Sequence, residues 1–297
     1  MAQDDQKLSI GSADLLLPPD HHLPRIMRQH PQYDYLYWNL IRVLLDDNKM
    51  SNGPLIDIGA NIGDTISHFR RFSKGPVWGI EPHPGYFDYL ERNMSQFSDV
   101  RLSHALVAPD AAQDRVRLSI NHGTGGSSLE PDSGEVFAGP RVSPQQIADT
   151  LTPDTVLKSD TDGFDGHIIS VVAEYMAQRK VRPAIVAFEG PTRRQTEQGE
   201  IQRHRHALHR LQLLGYRIHM LTNTGHPVGT VGTSASALDL MLDTHRNALL
   251  SGTMMCPYLD FICVAPGLGA SALFYPPRVE KALWADIPQP EDDTVTK

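Results

Sequence analysis

Cysteine is almost absent from this chain: Cys256 and Cys263 are the only two in 297 residues. Two thiols build neither a disulfide framework nor a four-ligand zinc site, and their spacing matches neither pattern. A surplus of positive charge is missing too, with 27 Lys and Arg against 35 Asp and Glu and a formal net charge of -8. Lacking cations to neutralise a row of phosphates, the chain is expected to have no nucleic-acid partner. Long apolar runs are also lacking, and no segment approaches the ~20 residues of a membrane span. The opening stretch MAQDDQKLSIGSADLLLPPDHH is acidic, and its short run Leu15 to Leu17 does not make a secretory signal. With 40% hydrophobic and 21% charged residues, the expectation is a cytoplasmic globular protein. There is no internal repeat or low-complexity tract, and oligomeric state is not legible.

What is present divides into three parts. Residues 1–50 read as a mobile lead-in of about twenty residues followed by a helix, YDYLYWNLIRVLLDD, with Leu36, Leu40, Val43 and Leu44 on one face. Its Trp and Tyr residues read as core anchors. Residues 51–267 carry the main domain, and residues 268–297 read as a short helix and a polar tail. In the main domain, PLIDIG, VWGIEP, VRLSHALVA, TVLKSD, PAIVAFEG, YRIHMLT and LDFICVAP alternate with helical stretches. Strands too apolar to have a wet face predict a doubly wound α/β fold, a mostly parallel sheet covered on both sides. Between the third and fourth runs, DRVRLSINHGTGGSSLEPDSG predicts an inserted hairpin or flap.

The first run leads into LIDIGANIGDTISHF, a strand-to-helix turn with Asp57, Gly59, Asn61 and Gly63 spaced two apart. Glycines let the backbone approach a ligand, and Asn tolerates the left-handed region. Glu81 ends the second run, about 20 residues on, where a carboxylate can accept both hydroxyls of a ribose. Two ligands fit such a carboxylate, a nicotinamide dinucleotide or S-adenosylmethionine (SAM). The dinucleotide fingerprint G-x-G-x-x-G fails, because Asn61 and Asp64 stand at its second and third glycines. Asp57 and Asp64 would also set negative charge beside a pyrophosphate. SAM carries an ammonium and a sulfonium and no phosphate, so it suits this loop better.

In that order and spacing, IDIGANIGDT, GIEPHP, SHALVAPD, GGSSL, LKSDTDGFDGHII and AIVAFEG resemble the FkbM-type SAM-dependent methyltransferases, over roughly Pro54 to Gly190. The resemblance implies a class I methyltransferase (Rossmann-like) fold with a seven-stranded sheet, and methyl transfer from SAM, often to a hydroxyl of a sugar, glycan or polyketide-type product. Asp57, Gly59, Asn61 and Gly63 match the motif around the methionine part of SAM. Glu81 matches the ribose ligand, with Pro82 beside it. His104 and Ala105 stand where the third strand abuts the adenine. Family members commonly carry Glu or Asp at the position of Asp162.

Carboxylates then crowd the fourth strand end at Asp160, Asp162 and Asp165, and Glu189 ends the fifth. In open α/β sheets ligands sit beyond the carboxyl ends of the strands, so these acids are expected to face the cofactor's crevice. Asp160 is the first choice for a base that removes the acceptor's proton, Glu189 the alternative, and Asp162 an orienting group. Asp165 reads as a helix cap, Lys158 as the partner of a neighbouring carboxylate, and His167 as a surface residue. Ser127 and Ser128 either cover the acceptor or form an ordinary hairpin turn. Mg²⁺ at the two acidic strand ends is admitted but not favoured, and DTDGFDG fails as a calcium loop, with Phe164 and Val171 at ligand positions. RHRHALHR reads as a solvated basic face, since His204 and His206 point apart on a helix. Two other classes remain: a metal-dependent glycosyltransferase using Asp160-Thr161-Asp162, and a SAM-binding protein without catalysis.

Overall fold

The computed structural model describes residues 5–108, 117–121, 124–128, 135–197, 199–253 and 256–268. The chain opens with a hairpin, β1 (Gln6–Ile10) paired antiparallel with β2 (Ala13–Leu17), and continues into α1 (Leu23–Gln29) and α2 (Tyr35–Asp47). This corrects the expectation of a mobile lead-in for residues 6–17. Gly11 turns the chain with φ 61°, and Ile10, Leu15 and Leu17 are 1%, 0% and 0% exposed. The hairpin is tied down from outside: Ser12 N donates to Ser67 O at 3.2 Å, and Leu16 N to Asn93 Oδ1 at 2.8 Å. A sequence of five-residue strands gives no sign of these partners, which lie 55 and 77 residues away.

The main domain follows as β3 (Leu55–Ile58), α3 (Asp64–Arg70), β4 (Val77–Glu81), α4 (Pro84–Met94), β5 (Val100–His104) and a short β6 (Leu106–Val107). The insertion forms a three-stranded sheet of β7 (Arg117–Asn121), β8 (Thr124–Ser128) and β9 (Glu135–Val136), and β10 (Arg141–Val142) then pairs with β6. The expected hairpin is therefore present, but TGGSS is a strand rather than the turn, and the side chains of Ser127 and Ser128 lie outside the described residues. The chain continues through α5 (Pro144–Thr150), β11 (Val156–Ser159), α6 (Asp165–Arg179), β12 (Ile185–Glu189), α7 (Arg193–Glu197) and α8 (Glu200–Leu213). It ends in β13 (Arg217–Thr222), β14 (Pro227–Val231), α9 (Ala235–Ser251) and β15 (Leu259–Val264). The expected C-terminal helix and tail fall, beyond Leu268, outside the described residues.

The central sheet has the order β14-β13-β15-β12-β11-β3-β4-β5. Strands β12, β11, β3, β4 and β5 are parallel, while β15 runs antiparallel to both β12 and β13. This is the doubly wound, class I methyltransferase arrangement, with eight strands where seven were expected. The extra strand, β14, folds back on β13 at the sheet edge, with Pro227 at its start and mostly exposed side chains. A strand without an apolar run gives no buried-strand signal, and proline is tolerated at an edge.

Neighbouring residues of each central strand enter opposite cores, as a pleat requires. Ile56, Leu157 and Val186 pack with Ile168, Val172 and Leu208 from α6 and α8. Leu55, Val156 and Ile185 pack with Trp38, Leu44, Ile66 and Phe69 from α2 and α3. Trp38 and Leu44 are 0% exposed, so α2 supplies core anchors as expected. Strand order reverses between β3 and β11, which opens a crevice at their carboxyl ends. No helix among the described residues is long and apolar enough to cross a membrane.

Candidate active site

At the end of β3 the chain makes a turn that only particular residues allow. Gly59 has φ 80°, and a Cβ there would lie 1.8 Å from the carbonyl oxygen of Asp160. The first strand end and the fourth thus touch through bare backbone. Asn61 follows with φ 47° and Gly63 with φ 93°, opening α3. In this conformation Asn61 N donates to Glu81 Oε2 at 2.9 Å, and His83 N donates to Oε1 at 2.8 Å. The two donors fix the plane of a carboxylate that is 5% exposed, and burial pushes its pKa up to about 7.

These groups face a cavity of about 300 Å³, whose wall includes Gly59, Asn61, Asp64, Glu81, Pro82 and Asp162. Asp57 does not line it but is 0% exposed, with neither carboxylate oxygen hydrogen-bonded. Burial, opposed by Lys158, lifts its pKa to about 8. His104 and Ala105 also stand outside the lining. His104 Nε2 sits 2.9 Å from Pro82 O and stacks on Phe87, and Ala105 N donates to Glu81 O at 3.2 Å, so both brace the segment that carries Glu81.

A second cavity of about 30 Å³ adjoins the first and shares Tyr33, Lys158, Asp160 and Tyr258 with it. Its remaining wall holds Asp34, Tyr37, Glu189 and Asp260. Lys158, 9% exposed, reaches across the junction: Nζ donates to Asp160 Oδ2 at 2.9 Å and lies 3.8 Å from Asp57 Oδ1. Burial acts against the ammonium, but the carboxylates of Asp160 and Asp57 outweigh it and hold Lys158 well above its ordinary pKa. Burial likewise acts to raise Asp160, and Lys158 overcomes it, keeping that carboxyl below the usual range. Glu189 has no such cation beside it; burial and the Asp160 and Asp162 carboxylates push it well above. One oxygen from each of Asp160, Asp162 and Glu189 falls within 4.8 Å of the other two.

Beyond this geometry, residues 57–218 match the methyltransferase FkbM domain. The chain belongs to the FkbM methyltransferase family. No curated protein matches it. Among solved structures, an O-methyltransferase from Bacillus cereus in complex with SAH is similar at 13% identity and TM-score 0.38, over 77% of this chain and 80% of that one. The plantazolicin methyltransferase BpumL in complex with SAH is similar at 10% identity and TM-score 0.40, over 82% and 88%. Methyl transfer from SAM is the chemistry of this FkbM-family protein. The wall of the larger cavity presents the Glu81 carboxyl oriented by two backbone N–H groups, and behind the wall lies Asp57, buried with neither side-chain oxygen hydrogen-bonded. Among the described lining residues lysine is represented once and arginine not at all, which suits a cationic ligand and not a pyrophosphate.

Several residues of this FkbM-family site carry no sequence signal. His21, His22, Leu23, Ile26 and Tyr33 close the donor cavity from the N-terminal segment, His21 Nε2 lying 3.3 Å from Asn61 Oδ1. Asp260 comes from the start of β15 and Tyr258 from just before it, and only the antiparallel direction of that strand, invisible in an apolar run, brings them to this rim. Two sequence readings are corrected. Asp165 does not cap α6; it accepts from Ser159 Oγ at 2.6 Å and Thr161 N at 3.1 Å, bracing the turn that presents Asp160. The stretch RHRHALHR is not a plain solvated face, because His204 is 1% exposed with Nε2 3.0 Å from Glu189 O, and Arg205 and His209 pair with Asp239. His167 is half-buried against Phe164 and lines neither cavity.

Proposed function

We propose that the protein is an O-methyltransferase acting on a hydroxyl of a sugar, glycan or polyketide-type small molecule. The observation that carries this reading is the carboxylate junction of Asp160, Asp162 and Glu189 standing between the donor cavity and the smaller cavity beside it. When bound, SAM supplies a methyl group already activated on a cationic sulfur. Glu81, oriented by two backbone N–H groups, takes the ribose hydroxyls, and Asp57 and Asp64, whose carboxyls burial holds above their ordinary pKa, ionise as the positive charges of the donor arrive. The reacting hydroxyl of the acceptor reaches into the second cavity, which at about 30 Å³ has room for one such group, with Tyr33, Tyr37 and Tyr258 in its wall. Holding donor and acceptor in line is worth roughly 7–11 kcal/mol of barrier. A placed carboxylate that takes the proton adds about 10² to 10⁴ in rate.

Within the junction Lys158 keeps Asp160 ionised, so Asp160 is the acid ready to accept a hydrogen bond from the acceptor hydroxyl. Asp160 is therefore the group that takes the proton; Glu189, held protonated by burial and the neighbouring carboxylates, is the alternative base only when it is ionised, and Asp162, exposed at the rim, orients the acceptor. Family membership and the glycine turn weigh against the glycosyltransferase reading of Asp160-Thr161-Asp162. Methyl transfer from labelled SAM to a panel of sugars and polyketide-type alcohols tests the proposal, with SAM affinity measured in parallel. Asp160→Asn is expected to lose about 10² or more in rate while still binding SAM. Saturable SAM binding without methylation of any hydroxyl acceptor would favour a binding protein instead.

A further inference from the structure

Glu189 ends a strand buried along its whole length and is itself 8% exposed, with its carboxyl end in the wall of the smaller cavity. Among the described residues no backbone N–H, hydroxyl or basic side chain donates to it; its polar neighbour is the carboxylate of Asp160. Asp260 sits across the strand pair from Glu189, and Asp34 adds another acid to the same wall. Against these stands one lysine among the described residues, Lys158, whose Nζ donates to Oδ2 of Asp160 and lies 3.8 Å from Asp57 Oδ1. Two touching carboxylates require a proton or a cation between them. Here a third, Asp162, brings its oxygen to the same point, and the three oxygens span no more than 4.8 Å. Oxygen ligands at about 2.0–2.6 Å from one ion occupy a sphere of that width. All three donors are carboxylates, with no imidazole or thiolate, a set that selects a hard cation over zinc or copper.

We propose that Asp160, Asp162 and Glu189 bind a divalent, oxygen-preferring cation such as Mg²⁺ or Mn²⁺ at the junction of the two cavities. This reverses the weight that the sequence alone gives to a metal, because only the fold brings Asp162 and the buried Glu189 to one point. The inference rests on the methyltransferase reading and adds a substrate class to it. Positions not filled by the protein are left for water or acceptor oxygens, so acceptors with two neighbouring oxygens, such as a vicinal diol, have an advantage over isolated alcohols. Asp160 then orients the acceptor through the ion as well as directly.

The test is a titration of the dialysed full chain with Mn²⁺, read as loss of the free-ion electron paramagnetic resonance signal, with Mg²⁺ as competitor and SAM affinity measured calorimetrically on the same samples. One Mn²⁺ per chain, displaced by Mg²⁺, is expected. Glu189→Gln and Asp162→Asn should each weaken it by about tenfold or more. Asp162 is exposed, so its variant remains informative if the buried substitution fails to fold. SAM binding should persist in Glu189→Gln, since Glu189 does not line the donor cavity. Absence of a Mn²⁺ site in a chain that still binds SAM overturns the cation proposal alone, as does Mn²⁺ binding indifferent to both substitutions. Failure of the wild-type chain to bind SAM overturns the reading beneath it.

Discussion

Gly59→Ala is the substitution that most directly couples the donor loop to the catalytic acids. The new Cβ would stand 1.8 Å from the Asp160 carbonyl oxygen and 2.8 Å from its carbonyl carbon, both main-chain atoms at the end of a buried strand. A left-handed conformation costs an L-residue about 1–2 kcal/mol, and forcing a methyl into packed backbone typically costs about 1–3 kcal/mol. The sum, about 2–5 kcal/mol, translates at about 2–4 °C per kcal/mol into a fall in Tm of roughly 4–20 °C. Because relief requires β3 and β11 to move apart, SAM affinity and turnover should fall together. Gly63→Ala provides the contrast: its Cβ would meet Met94 Cε at 2.6 Å, the tip of a flexible side chain that can swing away. Differential scanning calorimetry and SAM titration of both variants decide the matter. A Gly59→Ala protein with wild-type Tm and wild-type SAM affinity would falsify the claim that the two strand ends touch.

Two other outcomes follow from named contacts. Burial places the Glu81 pKa at about 7 in the ligand-free protein, so the carboxylate is ionised above that pH and accepts ribose hydroxyls more strongly there. SAM should therefore bind about five- to tenfold more tightly at pH 8 than at pH 6; Glu81→Gln should bind weakly at both, and an unchanged slope in that variant would remove Glu81 from the ribose site. Asn93→Ala should cost about 1–3 kcal/mol by releasing the bonds to Leu16 N, Leu16 O and Ile62 O, and hydrogen exchange should show β1 and β2 opening first; uniform protection would contradict that docking.

Sequence reading succeeded where a residue's surroundings are decided by its own neighbours. LIDI and VLKS are strands buried at every position, so no alternation is needed to recognise them, and the glycine turn between Asp57 and Asp64 shows its purpose in its residue types. Failures came where the deciding partner is distant in sequence. The hairpin at residues 6–17 gains its order from Ser67 and Asn93, and His204 is buried because it meets the end of a strand fifteen residues earlier. The acids were legible as a group because Asp160 directly follows one buried strand, with Asp162 close behind, and Glu189 ends the next. Their division into an ion-paired Asp160 and an undonated Glu189 was not, since it depends on which side Lys158 extends.

The reversed direction of β15 has a consequence for how this enzyme can diversify. Tyr258 and Asp260 reach the acceptor side from just before that strand and from its start, directly after the connection from α9, whereas Glu81, Asn61 and Gly59 depend on crossovers much earlier in the chain. Lengthening or shortening the connection would move Asp260 on the smaller cavity and Tyr258 on the seam between the two, while Glu81, Asn61 and Gly59 keep their places, so the two cavities can be reshaped to different degrees.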